Sequence, residues 1–166
     1  HLEVELKKRG HNLPVYFGNR NWHPFASETA EKMSQDGVRK VAVFATSAWG
    51  GYSACRQYDE DIQRMREHLA EQGLPDIEFT KIRQFFDHPK FVDEMAAAVT
   101  EVWGQVPEEK KESTRLLFTA HSVPVAHDNV GGADGDKNLY SRQVAEASRL
   151  VAARAGISDY DLVWQS

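Results

Sequence analysis

Apolar and polar residues follow two rhythms along the chain. Short runs rich in branched and aromatic residues, Val15–Phe17, Val41–Ala45, Ile77–Ile82, Leu116–Ala120 and Leu162–Trp164, predict β-strands. The longer segments between them repeat apolar positions at spacings of three and four, which predicts helices over Ala26–Asp36, Ala54–Gln72, Phe91–Gly104 and Asn138–Ala155. Phe91, Met95, Val99 and Val102 mark the buried face of one, and Val144, Ala147, Leu150 and Val151 that of another. HLEVELKKRG at the start also reads as helix. Strand followed by helix, repeated, predicts a parallel sheet, so the fold class is α/β. Gly37 and Gly156 each stop a helix, Gly73 with Pro75 ends another, and Gly104 with Pro107 a fourth. HDNVGGADGDK, from His127 to Lys137, has no apolar face and predicts a surface loop. TSAWGGYSA, from Thr46 to Ala54, joins a strand to the longest helix, and its Gly50 and Gly51 permit the tight path of a domain crossover.

Composition narrows the function classes. A chain of 166 residues suits one domain or pieces of two. It opens at His1 inside a helical pattern and stops at Ser166 directly after the apolar run DLVWQS, which reads as a piece cut at both ends. A net charge of −5 with scattered basic residues argues against nucleic acid as a partner. No apolar stretch approaches the roughly 18 residues of a membrane span, so no transmembrane segment is expected. The single cysteine, Cys55, excludes an internal disulfide framework and suits a reducing compartment, with the cytoplasm the default.

In open parallel sheets the ligand crevice lies beyond the carboxyl ends of the strands. RLLFTAHSVPVAHD, from Arg115 to Asp128, runs an apolar strand into His121, and Pro124 then removes a backbone donor and ends pairing. An imidazole on that lip exchanges protons close to neutrality. From position alone, a histidine that merely bonds a loop carbonyl fits equally well. Ser122 adjoins His121, but neighbours on an extended chain point to opposite faces, and no G-x-S-x-G elbow occurs, so a hydrolase is unsupported. Phosphate-cradling glycine motifs and paired zinc-ligand motifs are absent, and His23, His88 and His127 read as solvated loop residues. Aromatic residues gather on the segments that would line the crevice, among them Trp22, Phe25, Trp49, Tyr52, Tyr58 and Phe85. Each alone could be core; as a group they suit a large flat ligand.

FTAHSVP, ISDYDLVWQS, VYFGNRNWHPF, SAWGGYSACRQY and FDHPKFVDEMAAAV together, in this order, resemble the ferrochelatase family over nearly the whole chain. SAWGGYSACRQY resembles the actinobacterial branch, whose members act on coproporphyrin III. The resemblance implies a chelatase-like fold of two Rossmann-like halves with parallel sheets flanked by helices, the first half truncated: residues 1–46 would close the first half and residues 47–166 supply most of the second. It implies a lyase of heme biosynthesis that inserts Fe²⁺, as substrate, into a porphyrin. His121 matches the family's active-site histidine, which accepts pyrrole protons or receives the metal. Tyr58 and Ser53 match positions that contact a substrate propionate. Cys55 matches one ligand of the two-iron two-sulfur cluster in cluster-containing members, the other three coming from a C-terminal region. The family's partner glutamate would follow Ser166, so this piece alone is expected to be inactive, and the whole protein a monomer. The rivals are a cobalt or nickel chelatase of a sirohydrochlorin-like ring and a non-catalytic α/β binding module.

Overall fold

The computed structural model describes residues 1–51, 56–130 and 137–166. Among them the order is α1 (Leu2–Lys8), α2 (Ala26–Gln35), β1 (Lys40–Val43), α3 (Gln57–Glu71), β2 (Glu78–Lys81), α4 (Pro89–Gly104), α5 (Glu108–Lys111), β3 (Leu116–His121), α6 (Val125–Asp128), α7 (Leu139–Ala155) and β4 (Tyr160–Gln165). All strand pairing within these elements is parallel, β1 with β2 and β3 with β4, as strand–helix alternation demands. The fold class is α/β, as expected.

Packing divides the chain into two compact units, His1–Phe44 with Tyr58–Ile82, and Ala45–Gln57 with Arg83–Ser166. The expected division after residue 46 follows chain order, whereas residues 58–82 pack with the first unit. The reason is the ladder: β2 pairs with β1 from Lys40↔Glu78 to Val43↔Lys81, and α3 is the crossover between them.

In the first unit, α2 and α3 bury Ala30, Met33, Met65 and Leu69 together with Ile77, and Leu69 and Ile77 are completely enclosed. Ser34 Oγ donates to the Pro75 carbonyl at 2.9 Å, tying α2 to the turn that leads into β2. The strand expected at Val15–Phe17 does not form. Side chains occupy its backbone groups instead: the Val15 N–H donates to Glu3 Oε1 at 2.9 Å, and the Phe17 carbonyl accepts from Thr29 Oγ1 at 2.9 Å.

Four described carboxyls of this unit sit below their ordinary range, Glu28 among them through the hydrogen bond from the Phe25 N–H. Lys32, then Tyr16, lowers Asp36; Arg66 lowers Asp76. Burial pushes Asp61 up, but hydrogen bonds from Arg20 and Arg64 outweigh it and hold the group low. A folded value below the unfolded one means stability that is fully present above the unfolded value and lost as pH falls through the folded one. Melting temperature should therefore be flat from neutrality to about pH 5 and drop progressively below about pH 4. Asp61→Asn should melt lower at neutral pH and show a shallower acid drop; a melting temperature that rises on acidification contradicts this assignment.

In the second unit, Val92 and Ala96 of α4 and Val151 of α7 form a buried cluster, with Phe118 of β3 packed against it. The Tyr160 ring meets Phe118 edge-on at 5.4 Å. Arg115 bridges to Asp159 and Asp161, which fixes the starts of β3 and β4 side by side. His88, read as a solvated loop residue, instead caps α4: its Nδ1 accepts from the Lys90 N–H at 3.3 Å, with Pro89 opening the helix. The expected loop from His127 begins inside α6, and residues 131–136 lie outside the described residues.

Candidate active site

β3 alternates half-buried Leu116, Phe118 and Ala120 with exposed Leu117, Thr119 and His121. His121 therefore stands on the exposed face of its sheet, at the strand's carboxyl end, paired with Gln165 of β4. Its imidazole makes no hydrogen bond or ion pair among the described residues. The backbone around it is held closely. The Tyr140 hydroxyl donates to the His121 carbonyl at 2.9 Å, and the Ser122 N–H donates to the Gln165 carbonyl at 2.7 Å.

Tyr140 was not singled out from sequence, although it lies four residues before Val144 on the buried face of α7. Its ring lies 5.9 Å from that of Trp164, tilted by 47°. Burial, with the negative charge of Asp128 adding to it, pushes the Tyr140 phenol up, so it remains a donor at neutral pH. Asp128 also accepts from Ser141 Oγ at 2.6 Å, which joins α6 to the first turn of α7. The Gly50–Gly51 turn closes on this same helix turn. A Cβ on Gly50 would come within 2.7 Å of Leu139 Cδ2, and Gly51 takes φ +126°, a conformation that favours glycine. The Gly50 N–H donates to Gln143 Oε1.

The expected aromatic group is shared between the two units. Trp49 and Phe85 lie in the second, each edge-on to Phe91 of α4, at 6.1 Å and 5.3 Å. Trp22, Phe25 and Tyr58 belong to the first, where Trp22 is largely exposed and Phe25 meets His23 edge-on at 4.3 Å. Tyr58, in the first turn of α3, lies beneath the Arg20 guanidinium at 5.1 Å, and its hydroxyl makes no hydrogen bond among the described residues. Arg20 bridges to Asp61 at 2.7 Å, and Arg64 to the same carboxylate. A cavity of about 460 Å³ opens beside them, lined among others by Arg20, Asn21, Ser27, Asp61 and Arg64. Guanidinium and phenol donors together suit a carboxylate ligand.

Ser53 and Cys55, with Tyr52, lie outside the described residues. Among the described residues no group of three or more His, Cys, Asp or Glu side chains gathers to hold a metal ion. No helix among them is long and apolar enough to cross a membrane.

Comparison with known proteins gives one consistent result. The coproporphyrin III ferrochelatase of Corynebacterium glutamicum is 57% identical over 165 residues, 99% of this chain and 44% of that protein. Proteins of the same name from Corynebacterium diphtheriae and Mycolicibacterium smegmatis are 57% and 54% identical, again over 99% of this chain. The chain thus spans less than half the length of these curated relatives. The family model described as Ferrochelatase matches residues 1–166, and with it the strand-end histidine and the parallel strand pairs find their context: the chain belongs to the ferrochelatase family.

Proposed function

We propose that the protein carrying this chain inserts Fe²⁺ into coproporphyrin III, and that His121 is the residue that takes a pyrrole proton. The observation that carries this reading is the placement of His121: exposed at the carboxyl end of a parallel strand, its imidazole without a partner among the described residues. The relatives' name supplies the substrate. Metallation balances simply: one Fe²⁺ enters the macrocycle and both N–H protons leave, so an acceptor must stand next to the ring nitrogens. Neutral imidazole is suited to that step near neutral pH. A flat porphyrin shields its own nitrogens, and binding energy from the ring periphery that bends the macrocycle exposes them.

Tyr58, with Ser53, would hold a propionate; the phenol donates to the carboxylate while the neighbouring Arg20 supplies positive charge. Cys55 would furnish one thiolate to a two-iron two-sulfur cluster whose remaining ligands come from outside this chain. A reducing, cytoplasmic setting suits both a cysteine outside any disulfide and ferrous iron.

The test is an anaerobic titration of the intact protein with coproporphyrin III and then Fe²⁺. The porphyrin spectrum should convert to that of the iron complex, and the purified protein should show a visible charge-transfer band before any porphyrin is added. No iron-dependent spectral change ends the chelatase reading; a colourless protein with Cys55 free ends the cluster assignment alone.

A further inference from the structure

An exposed imidazole without a partner among the described residues is free to turn, yet a proton acceptor must point at its target. The peptide unit that follows His121 is clamped from both sides. Its carbonyl accepts from the Tyr140 hydroxyl at 2.9 Å, and its N–H, that of Ser122, donates to the Gln165 carbonyl at 2.7 Å. Fixing that peptide plane fixes the backbone torsion at His121 and so the direction of its Cα–Cβ bond. The second bond is an ordinary rung of sheet pairing. The first comes from a side chain on another element.

We propose that Tyr140 is a positioning residue of this site, its hydroxyl on the His121 carbonyl setting the direction in which the imidazole leaves the strand end. This rests on the reading of His121 as proton acceptor. Tyr140 is itself fixed on several sides. Trp164 of the neighbouring strand lies beside its ring at 5.9 Å, and Gly51 packs closely on its Cβ, where an added methyl would come within 3.2 Å. Ser141 Oγ anchors the same helix turn to Asp128 at 2.6 Å. The strand end is thus referred to the first turn of a 17-residue helix, and an element of that kind carries orientation better than a loop does.

The experiment compares Tyr140→Phe with wild type in the intact protein. Phe keeps the ring against Trp164 and Gly51 and deletes only the donor. With coproporphyrin III and Fe²⁺, kcat should fall about tenfold, since small misplacements of a reacting group cost rate, while KM for the porphyrin stays within about twofold. A merely structural hydroxyl predicts the reverse, a lower melting temperature with kcat per folded molecule retained; kcat within about twofold of wild type overturns the proposal. Should Tyr140→Phe fail to fold, Ser141→Ala, which releases the helix turn and leaves the hydroxyl, is read the same way: kcat down about threefold supports the proposal, and unchanged kcat overturns it. His121→Ala separates the two layers. If it is inactive and Tyr140→Phe runs at full rate, only the positioning role is lost; if His121→Ala itself turns over normally, both fall.

Discussion

His121→Ala in the intact protein should lower iron insertion into coproporphyrin III by at least about a hundredfold while leaving the porphyrin Kd within about threefold. The two halves of that expectation have separate physical origins. On the proposed reading a flat macrocycle is held through its area and its propionates, by aromatic faces such as those of Trp49 and Phe85, whose ring contact is with Phe91 and not with His121. The imidazole contributes only when an N–H proton leaves the ring, a transition-state interaction, so its loss falls on kcat. The substitution is also mild for the fold. His121 is exposed and its imidazole bonds nothing among the described residues, whereas its backbone bonds to Tyr140 and Gln165 survive in alanine. Single-turnover absorbance for metallation and fluorescence quenching for porphyrin binding read the two quantities independently. Turnover within about threefold of wild type would remove His121 from the chemistry. A matching loss of porphyrin binding would recast it as a binding residue.

What the sequence made legible was the part governed by short-range pattern. LLFTAHSVP shows a strand core closed by Pro124, and β3 does end at His121; the same proline then serves a second purpose as the N-cap of α6, which no periodicity announces. α5 and α6 span four residues each, too few to display a helical repeat. The apolar run Val15–Phe17 has strand composition, but composition cannot reveal that Glu3 and Thr29 take its backbone groups. His88 looked solvated because a cap is recognised by the helix it starts, and that helix was expected to begin at Phe91, two residues later than it does. His121 and Tyr58 were singled out through motifs, and Trp164 only as the end of a strand, whereas Tyr140 was not. The roles of Tyr140 and Trp164 arise from β3 and β4 lying side by side with α7 across them, and parallel partners separated by a long helix leave no local signal of register.

Leu69→Ala should cost the fold about 3 kcal/mol, and it should be the most damaging single truncation in the first unit. Leu69 is completely enclosed, packed with Ala30, Met33, Met65 and Ile77, so its removal leaves a void bounded by two helices and the start of β2. Neighbours cannot refill it easily. Ala30 is too short, and Ser34 is already committed to the Pro75 carbonyl, which holds α2 in place. The consequence should extend to the candidate site, because α3 carries Leu69 near its end and Tyr58 in its first turn, with Asp61 one turn further on holding Arg20 over the Tyr58 ring. A helix loosened from its sheet should therefore weaken porphyrin binding before it alters kcat among molecules that remain folded. Denaturant titration measures the first effect and KM the second. Leu69→Met, which conserves volume, should lose less than about 1.5 kcal/mol and keep KM unchanged. If the alanine variant unfolds at the wild-type midpoint, Leu69 is not the keystone of this unit and the link from core to Tyr58 fails with it.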